Sequence, residues 1–199
     1  AKKLYRDHSL PALSHEVLRA GEVTDERLIE IFRSYLHPVI VKPSTGVRGI
    51  GVRLAHTFQE LKDAIEKAFV HSSKVLVEEF VRGTIASTTV VEKVGEEEFY
   101  AMTPAYLETE LRRVRPTSVQ NREMEEMAKK AHQALGLRHY SSTDFIITPS
   151  GKIYILETNS SPVFHEDSLL HHSLLSTGWK PKGFVDHCVK LALGEFSSN

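Results

Sequence analysis

Three oxygen-bearing side chains, Asp144, Glu157 and Asn159, fall in a stretch that reads as one hairpin, Asp144-Phe-Ile-Ile-Thr-Pro-Ser150-Gly151-Lys-Ile-Tyr-Ile-Leu-Glu157-Thr-Asn159. Two runs rich in β-branched and aromatic residues flank a Pro-Ser-Gly turn signal, which is the pattern of an antiparallel hairpin. With Ser150 and Gly151 as the central turn residues, Asp144 stands opposite Glu157, the Cβ atoms roughly 5 Å apart, where like charges repel. Asn159 follows two residues on and shares that face, because side chains alternate along a strand. Two carboxylates and an amide converging on one patch suit a hard divalent cation with oxygen ligands. The plainer reading is a solvated face on which both carboxylates point to water.

Two further places carry chemistry. Lys42 ends an apolar strand and is followed by the loop Ser44-Thr-Gly46-Val-Arg48-Gly49-Ile-Gly51. Such a loop brings backbone N–H groups close to phosphate oxygens while the lysine adds a mobile charge. Ile40 shares the face of Lys42 and suits packing against a flat base. The order, lysine before glycines, is not that of a Walker loop. The strand Val75-Leu-Val77-Glu78-Glu79-Phe80-Val81 ends in adjacent acids, whose polar groups and open backbone match the donor–acceptor edge of adenine. The alternatives are a lysine snorkelling at a strand end and a strand surfacing into solvent. Among the 11 histidines, His165, His171 and His172 have a spacing that fits no zinc motif. No Gly-x-Ser-x-Gly elbow supports a hydrolase.

The elements that must position these residues follow from periodicity. A helix over 1–8 precedes an extended stretch at Glu16–Leu18. Thr24 caps a helix with Leu28, Ile31, Phe32 and Tyr35 on one face, and Thr57-Phe-Gln-Glu60 reads as a capping box for another with Leu61, Ile65, Ala68 and Phe69. Strands are expected at 38–42, 52–55 and 75–80. Val81-Arg82-Gly83 breaks the pattern and marks a boundary between lobes 1–83 and 84–199. Beyond it come strands at 87–94 and 98–102, an arginine-rich connection from Glu108 to Arg115, a helix over 119–135, the hairpin, and helices near 164–176 and 184–193. Strands and helices mix without strict alternation, so the fold class is α+β with mainly antiparallel sheets in two lobes.

Composition bounds the function. At 199 residues the chain can bury a substantial core, and 25 Lys+Arg against 26 Asp+Glu leave no field favouring nucleic acid or an anionic membrane. The single cysteine, Cys188, permits no intrachain disulfide and points to a reducing, cytoplasmic compartment. No apolar run reaches the ~18 residues of a membrane span. The chain opens at Ala1 directly on helix-like sequence and reads as a portion of a longer protein.

Taken in order, Ile40-Val41-Lys42-Pro43, the glycine loop, Val77-Glu78-Glu79-Phe80, Asp144 and Leu156-Glu157-Thr158-Asn159-Ser160-Ser161-Pro162 resemble the ATP-grasp superfamily, and within it the D-alanine–D-alanine ligase family. The resemblance implies an ATP-grasp fold of two lobes with the nucleotide between them. It implies ATP and Mg2+ (Mn2+ as a substitute), an amino-acid or peptide-like substrate, a preceding N-terminal substrate domain absent from these residues, and a homodimer. Lys42 would contact the α/β-phosphates, with Arg48 and Gly49 in the phosphate loop. Ile40 and Leu156 would sandwich the adenine, and Glu78, Glu79, Phe80 and Val81 would line its polar edge. Asp144, Glu157 and Asn159 would hold the metal, and Ser161 and Ser168 would face the substrate. The family's reaction is attack of a carboxylate on the γ-phosphate, giving an acyl phosphate that an amine captures.

Most of the metal and nucleotide positions are kept, and departures fall on the acceptor side and at the ribose and phosphate loop. The family's arginine two residues before the first metal ligand is Ser142, its glycine after Ser-Pro is Val163, and its ribose-binding acid falls at Ile85. The loop over the phosphates offers Arg112, Arg113 and Arg115 in place of lysine and tyrosine. These arginines are the candidates for neutralising charge during transfer. The reading is a carboxylate–amine ligase or its ATP-binding portion; the alternatives are a nucleotide-binding module without ligation and a kinase with a hydroxyl acceptor.

Overall fold

The computed structural model describes residues 1–46, 49–107 and 116–196. It divides into two compact units, Leu13–Val81 and a second made of Ala1–Ala12 with Arg82–Asn199. The chain begins with α1 (Lys2–Asp7), then β1 (His15–Arg19), α2 (Asp25–Ser34), β2 (Val39–Pro43), β3 (Arg53–Ala55), α3 (Phe58–Phe69) and β4 (Lys74–Glu79). It continues with β5 (Thr84–Val94), β6 (Glu97–Ala101), β7 (Ala105–Tyr106), α4 (Ser118–Ala134), β8 (Tyr140–Ile147), β9 (Ile153–Asn159), α5 (Leu169–Ser176) and α6 (Pro181–Leu193). This is the α+β mixture with antiparallel sheets that the patterning predicts. Among the described residues no helix is long and apolar enough to cross a membrane.

In Leu13–Val81 the strands run in the order β1-β4-β2-β3, every pair antiparallel. Alternation puts Leu18, Val39, Val41, Ala55, Val75 and Val77 on one face, where they pack with Leu28, Ile31, Leu61, Ala64, Ile65 and Ala68 of the two helices. Ile40, Lys42 and Glu78 therefore share the other face. Both helices start as predicted: the Thr24 hydroxyl accepts from Arg27 N and that of Thr57 from Glu60 N, each at 3.2 Å. The returning arm of the expected capping box goes elsewhere, since Glu60 Oε2 accepts from His56 N at 2.7 Å. A reciprocal box forms instead at α4, between Thr117 and Gln120.

The second unit holds a sheet in the order β6-β5-β8-β9, with β7 beside β5. One face carries Ala86, Val90, Phe145, Ile147, Ile153 and Ile155 against Met124, Met127, Ala128 and Ala131 of α4. Tyr5 and Leu10 join this cluster, Ile155 N donates to Pro11 O at 2.8 Å, and Ala12 bridges Ile155. The opening helix thus clusters with 82–199, although the sequence reading counts it with 1–83. The pairing is non-local, and no break in the local pattern signals it. On the opposite face, Val91 and Met102 pack under Leu170, Leu174, Phe184 and Leu191. The helix expected near 164–176 begins only at Leu169, where Ser168 caps it, and the last helix begins earlier, at Pro181.

Gly83 sits where the backbone entering β5 passes very close to β8. A Cβ there would meet Ile147 O and lie 2.6 Å from Ile146 Cγ1. The obstructing atom is ladder backbone, which cannot swing away as a side-chain tip would. Gly83→Ala is expected to destabilise the protein by about 1–3 kcal/mol, the usual cost of overpacking. Urea unfolding checks this, and an unchanged midpoint would refute the close approach.

Candidate functional site

The outer half of the hairpin pairs Asp144 with Glu157, Thr143 with Thr158 and Ser142 with Asn159. This is the predicted opposition. The inner half is different, because Phe145 pairs with Ile155 and the ladder shifts register between Asp144 and Phe145. Leu156 is the extra residue of a bulge. The turn is also wider than a two-residue Ser150-Gly151 loop, with Thr148 N donating to Lys152 O at 2.8 Å and Gly151 N to Thr148 O at 2.9 Å. Turn and bulge offset one another, so the carboxylates meet where a simpler hairpin would also put them. Bulges re-aim side chains in this way beside functional sites.

The three side chains converge. Asn159 Nδ2 lies 3.1 Å from Glu157 Oε1 and 3.4 Å from Asp144 Oδ2. Asp144 Oδ1 accepts a 2.6 Å hydrogen bond from the Ser87 hydroxyl. A partly positive amide group therefore stands where two carboxylates point. Turning that amide over would present Oδ1 in its place, completing a set of three oxygen donors. That donor chemistry fits a hard divalent cation. Among the described residues no group of three or more His, Cys, Asp and Glu gathers as a metal site, so the amide is needed to complete this one. Burial pushes the Asp144 carboxyl up to about 6; the Ser87 hydrogen bond opposes the shift and the Glu157 charge adds to it.

Ser87 is the residue of this cluster that pattern reading missed. It faces Asp144 across β5 and β8, in a block where Ser87, Thr88 and Thr89 oppose Asp144, Thr143 and Ser142. Thr89 and Ser142 hydroxyls bond at 2.7 Å, and those of Thr143 and Thr158 at 3.0 Å. Hydroxyl residues rarely dominate the middle of a buried sheet. That composition was the available signal, but only the β5–β8 register shows which hydroxyl reaches the acid.

In the other unit, Lys42 Nζ lies 2.5 Å from Glu78 Oε2, and Glu78 is 1% exposed. The carboxylate expected at an adenine edge is thus joined to the lysine expected at phosphates. Ile40 pairs directly with Glu78 across β2 and β4. Glu79 N donates to Ser14 O at 3.0 Å, and Phe80 and Val81 lie half-buried past the end of β4. Gly49 adopts φ +69° and its carbonyl accepts from Val52 N at 3.1 Å, closing a turn. Arg48, Arg112, Arg113 and Arg115 lie outside the described residues.

Leu156 is half-buried and Ser161 is exposed in the bend after β9. The Ser168 hydroxyl is occupied locally. It donates to His165 O at 2.7 Å and accepts from His171 N at 3.2 Å at the start of α5.

The chain as a whole is similar to known proteins. A family model described as the D-ala D-ala ligase C-terminus matches residues 4–190. A D-alanine–D-alanine ligase of Desulfotalea psychrophila is 31% identical, over 97% of this chain and 65% of its own length. The solved D-alanine–D-alanine ligase of Coxiella burnetii superposes with a TM-score of 0.86 at 17% identity, over 98% of this chain and 56% of that one. The Bacillus anthracis D-alanine–D-alanine ligase complexed with ATP gives 0.81 at 17% identity, over 98% of this chain and 63% of that one. The chain thus spans roughly three-fifths of the length of the proteins it matches.

The raised Asp144 carboxyl has a consequence for the metal-free protein. The unfolded chain releases this proton near the ordinary 3.8, whereas the folded chain holds it to about 6. Between those values the folded state binds more protons, so this group's contribution makes stability fall as pH rises through the window. Above it the loss amounts to roughly 2–3 kcal/mol, from 1.36 kcal/mol per pKa unit. In EDTA, Asp144→Asn should therefore be more stable than wild type at pH 7.5, with the difference closing toward pH 4. Calorimetry across that range checks it, and a difference independent of pH would show that Asp144 is not held in this way.

Proposed function

The chain belongs to the family of D-Ala-D-Ala ligase C-terminal domains, and from that premise we propose that it is the ATP-handling part of a carboxylate–amine ligase with an ATP-grasp fold. The observation that carries the reading is the convergence of Asp144, Glu157 and Asn159, with one amide placed against both carboxylates. Oxygen donors of this kind, with two formal negative charges, would hold Mg2+, or Mn2+ in its place, and the ion would neutralise charge on the nucleotide phosphates.

The chain's own residues divide the rest of the work. Lys42, with Gly49 and Arg48 of the segment that follows it in sequence, would bind phosphate oxygens. Lys42 is held by Glu78 on the face that also carries Ile40, so its ammonium is oriented before any ligand arrives. Ile40 and Leu156 would contact the base through apolar surface, and Glu79, Phe80 and Val81 would offer backbone and edge contacts. Glu78 would act mainly through Lys42. Arg112, Arg113 and Arg115 would grip the transferred phosphoryl group, a task that suits permanently charged, bidentate guanidinium groups. Of the two candidate substrate hydroxyls Ser161 is the freer, because Ser168 caps α5.

In the reaction itself a substrate carboxylate oxygen attacks the γ-phosphorus and ADP departs. The amine then attacks the acyl carbon, and inorganic phosphate leaves with the oxygen it was joined to. The amino-acid or peptide-like substrates would be held in part by a further N-terminal domain of a longer, cytoplasmic protein. The family expectation of a homodimer belongs to that protein. A nucleotide-binding module without ligation is the second reading. The occupied Ser168 hydroxyl favours it, since an acceptor would have to displace a capping bond.

Glu157→Gln should weaken Mg·ATP binding at least tenfold by calorimetry while near-UV circular dichroism stays unchanged. Equal affinity would remove Glu157 from the site. Lys42→Met should weaken ATP with and without Mg2+. The triple change of Arg112, Arg113 and Arg115 to alanine should lower phosphate release in the longer protein without altering its fold. Phosphate release across an amino-acid panel, with and without dipeptide formed, separates ligase from binding module.

A further inference from the structure

We propose that Ser87 is the positioning residue of the metal site: its hydroxyl fixes one oxygen of Asp144 so that the other faces the cation. The inference rests on the assignment of Asp144, Glu157 and Asn159 to Mg2+. It concerns a residue on a different strand from all three.

The geometry is specific. Ser87 stands directly opposite Asp144 in the β5–β8 ladder, and its Oγ is 2.6 Å from Oδ1, at the short end of the range for a hydroxyl donating to a carboxylate. Ser87 is 3% exposed, which leaves little room for water to take over the bond. The remaining oxygen, Oδ2, is the one on the side of Asn159 Nδ2, at 3.4 Å. An Asp carboxylate rotates about a broad, two-fold torsion, and a donor fixed by β-ladder register removes that freedom.

The neighbouring pair explains why the arrangement is unambiguous. Ser142 lies two residues before Asp144 on the same face, yet its hydroxyl is bonded to Thr89 at 2.7 Å. Each hydroxyl of β5 on this face thus has its own partner on β8, and Asp144 receives one donor. The donor is also uncharged. A lysine or arginine in its place could orient the carboxylate equally well, but would cancel part of the negative field that attracts the cation. A hydroxyl orients it and leaves the charge intact. Groups that orient a ligating carboxylate in this manner typically change metal affinity 10–100-fold when removed.

The test measures Mn2+ binding by the loss of the free-ion electron paramagnetic resonance signal, with ADP present and no turnover required. Ser87→Ala should weaken Mn2+ about tenfold or more, with metal-free ADP affinity and the near-UV circular dichroism little changed. Ser87→Thr, which keeps the hydroxyl, should restore binding to within about threefold of wild type. On an Asp144→Asn background, Ser87→Ala should cause no further loss, because it acts only through that carboxylate. If Ser87→Ala does not fold, Ser87→Cys, similar in size but a weak donor, should show the same loss. If wild type binds Mn2+ and the folded Ser87 variant binds it equally, or loses as much on the Asp144→Asn background, Ser87 has no positioning role although the metal site stands. If wild type takes up no Mn2+, or Asp144→Asn and Glu157→Gln bind it as wild type does, the metal-site assignment itself fails, and the inference with it.

Discussion

Two carboxylates held face to face in a β-ladder repel, and the rest of the second unit is arranged around that repulsion. At roughly 5 Å and an effective dielectric near 20, two full charges cost about 3 kcal/mol. On a mobile loop the side chains would simply part. Here the backbones cannot part, because β8 lies between β5 and β9, and the hairpin is anchored below by Phe145 and Ile147 of β8 and Ile153 and Ile155 of β9. The protein offsets the repulsion with neutral donors, the Ser87 hydroxyl and the Asn159 amide, while burial, more than the Glu157 charge, keeps a proton on Asp144 up to about pH 6. A divalent cation would turn the same opposition into attraction. Burial of Asp144 beside Glu157 thus raises the energy of the metal-free carboxylates, and a counter-charge would relieve both contributions.

The other unit applies the opposite sign. Lys42 and Glu78 form an ion pair in which the acid is almost fully buried. Such pairs contribute little net stability, since desolvation cancels most of the attraction. What the pair does supply is direction. An unpaired lysine at a strand end samples many rotamers, whereas this one is tied diagonally across β2 and β4 on the face that bears Ile40. A strand-end lysine beside a glycine turn was legible from the order of residues alone. That its partner would be Glu78, on the directly paired strand β4, was not.

The hairpin was the most readable part of the chain because alternation and turn residues are local signals. Even so, the opposition of Asp144 and Glu157 came out right although the assumed turn was too tight, since the bulge at Leu156 restored the register. A period-two pattern reports which face a residue takes only until a bulge resets it. Helix starts at Thr24 and Thr57 were equally legible, because a hydroxyl capping a backbone N–H needs no tertiary partner. The grouping of α1 was invisible for the contrary reason. Tyr5 is buried by residues far along the chain, and nothing in the first ten positions encodes that.

Ser87 and Asp144 are separated by 57 positions, whereas Asp144 and Glu157 belong to one hairpin. The repulsive contact is thus local and the contact that orders it is distant. Local pairings form early and cheaply, while non-local ones wait for loop closure. The β8–β9 hairpin by itself brings the carboxylates together with only Asn159 to compensate. Once β5 is in place, its hydroxyls meet Asp144 and Ser142 pairwise, and the ligand geometry and the sheet order become the same fact. This accounts for a sheet centre built from serine and threonine where valine would pack better. Side chains there must be small enough to fit a central strand and neutral enough to leave the site its charge.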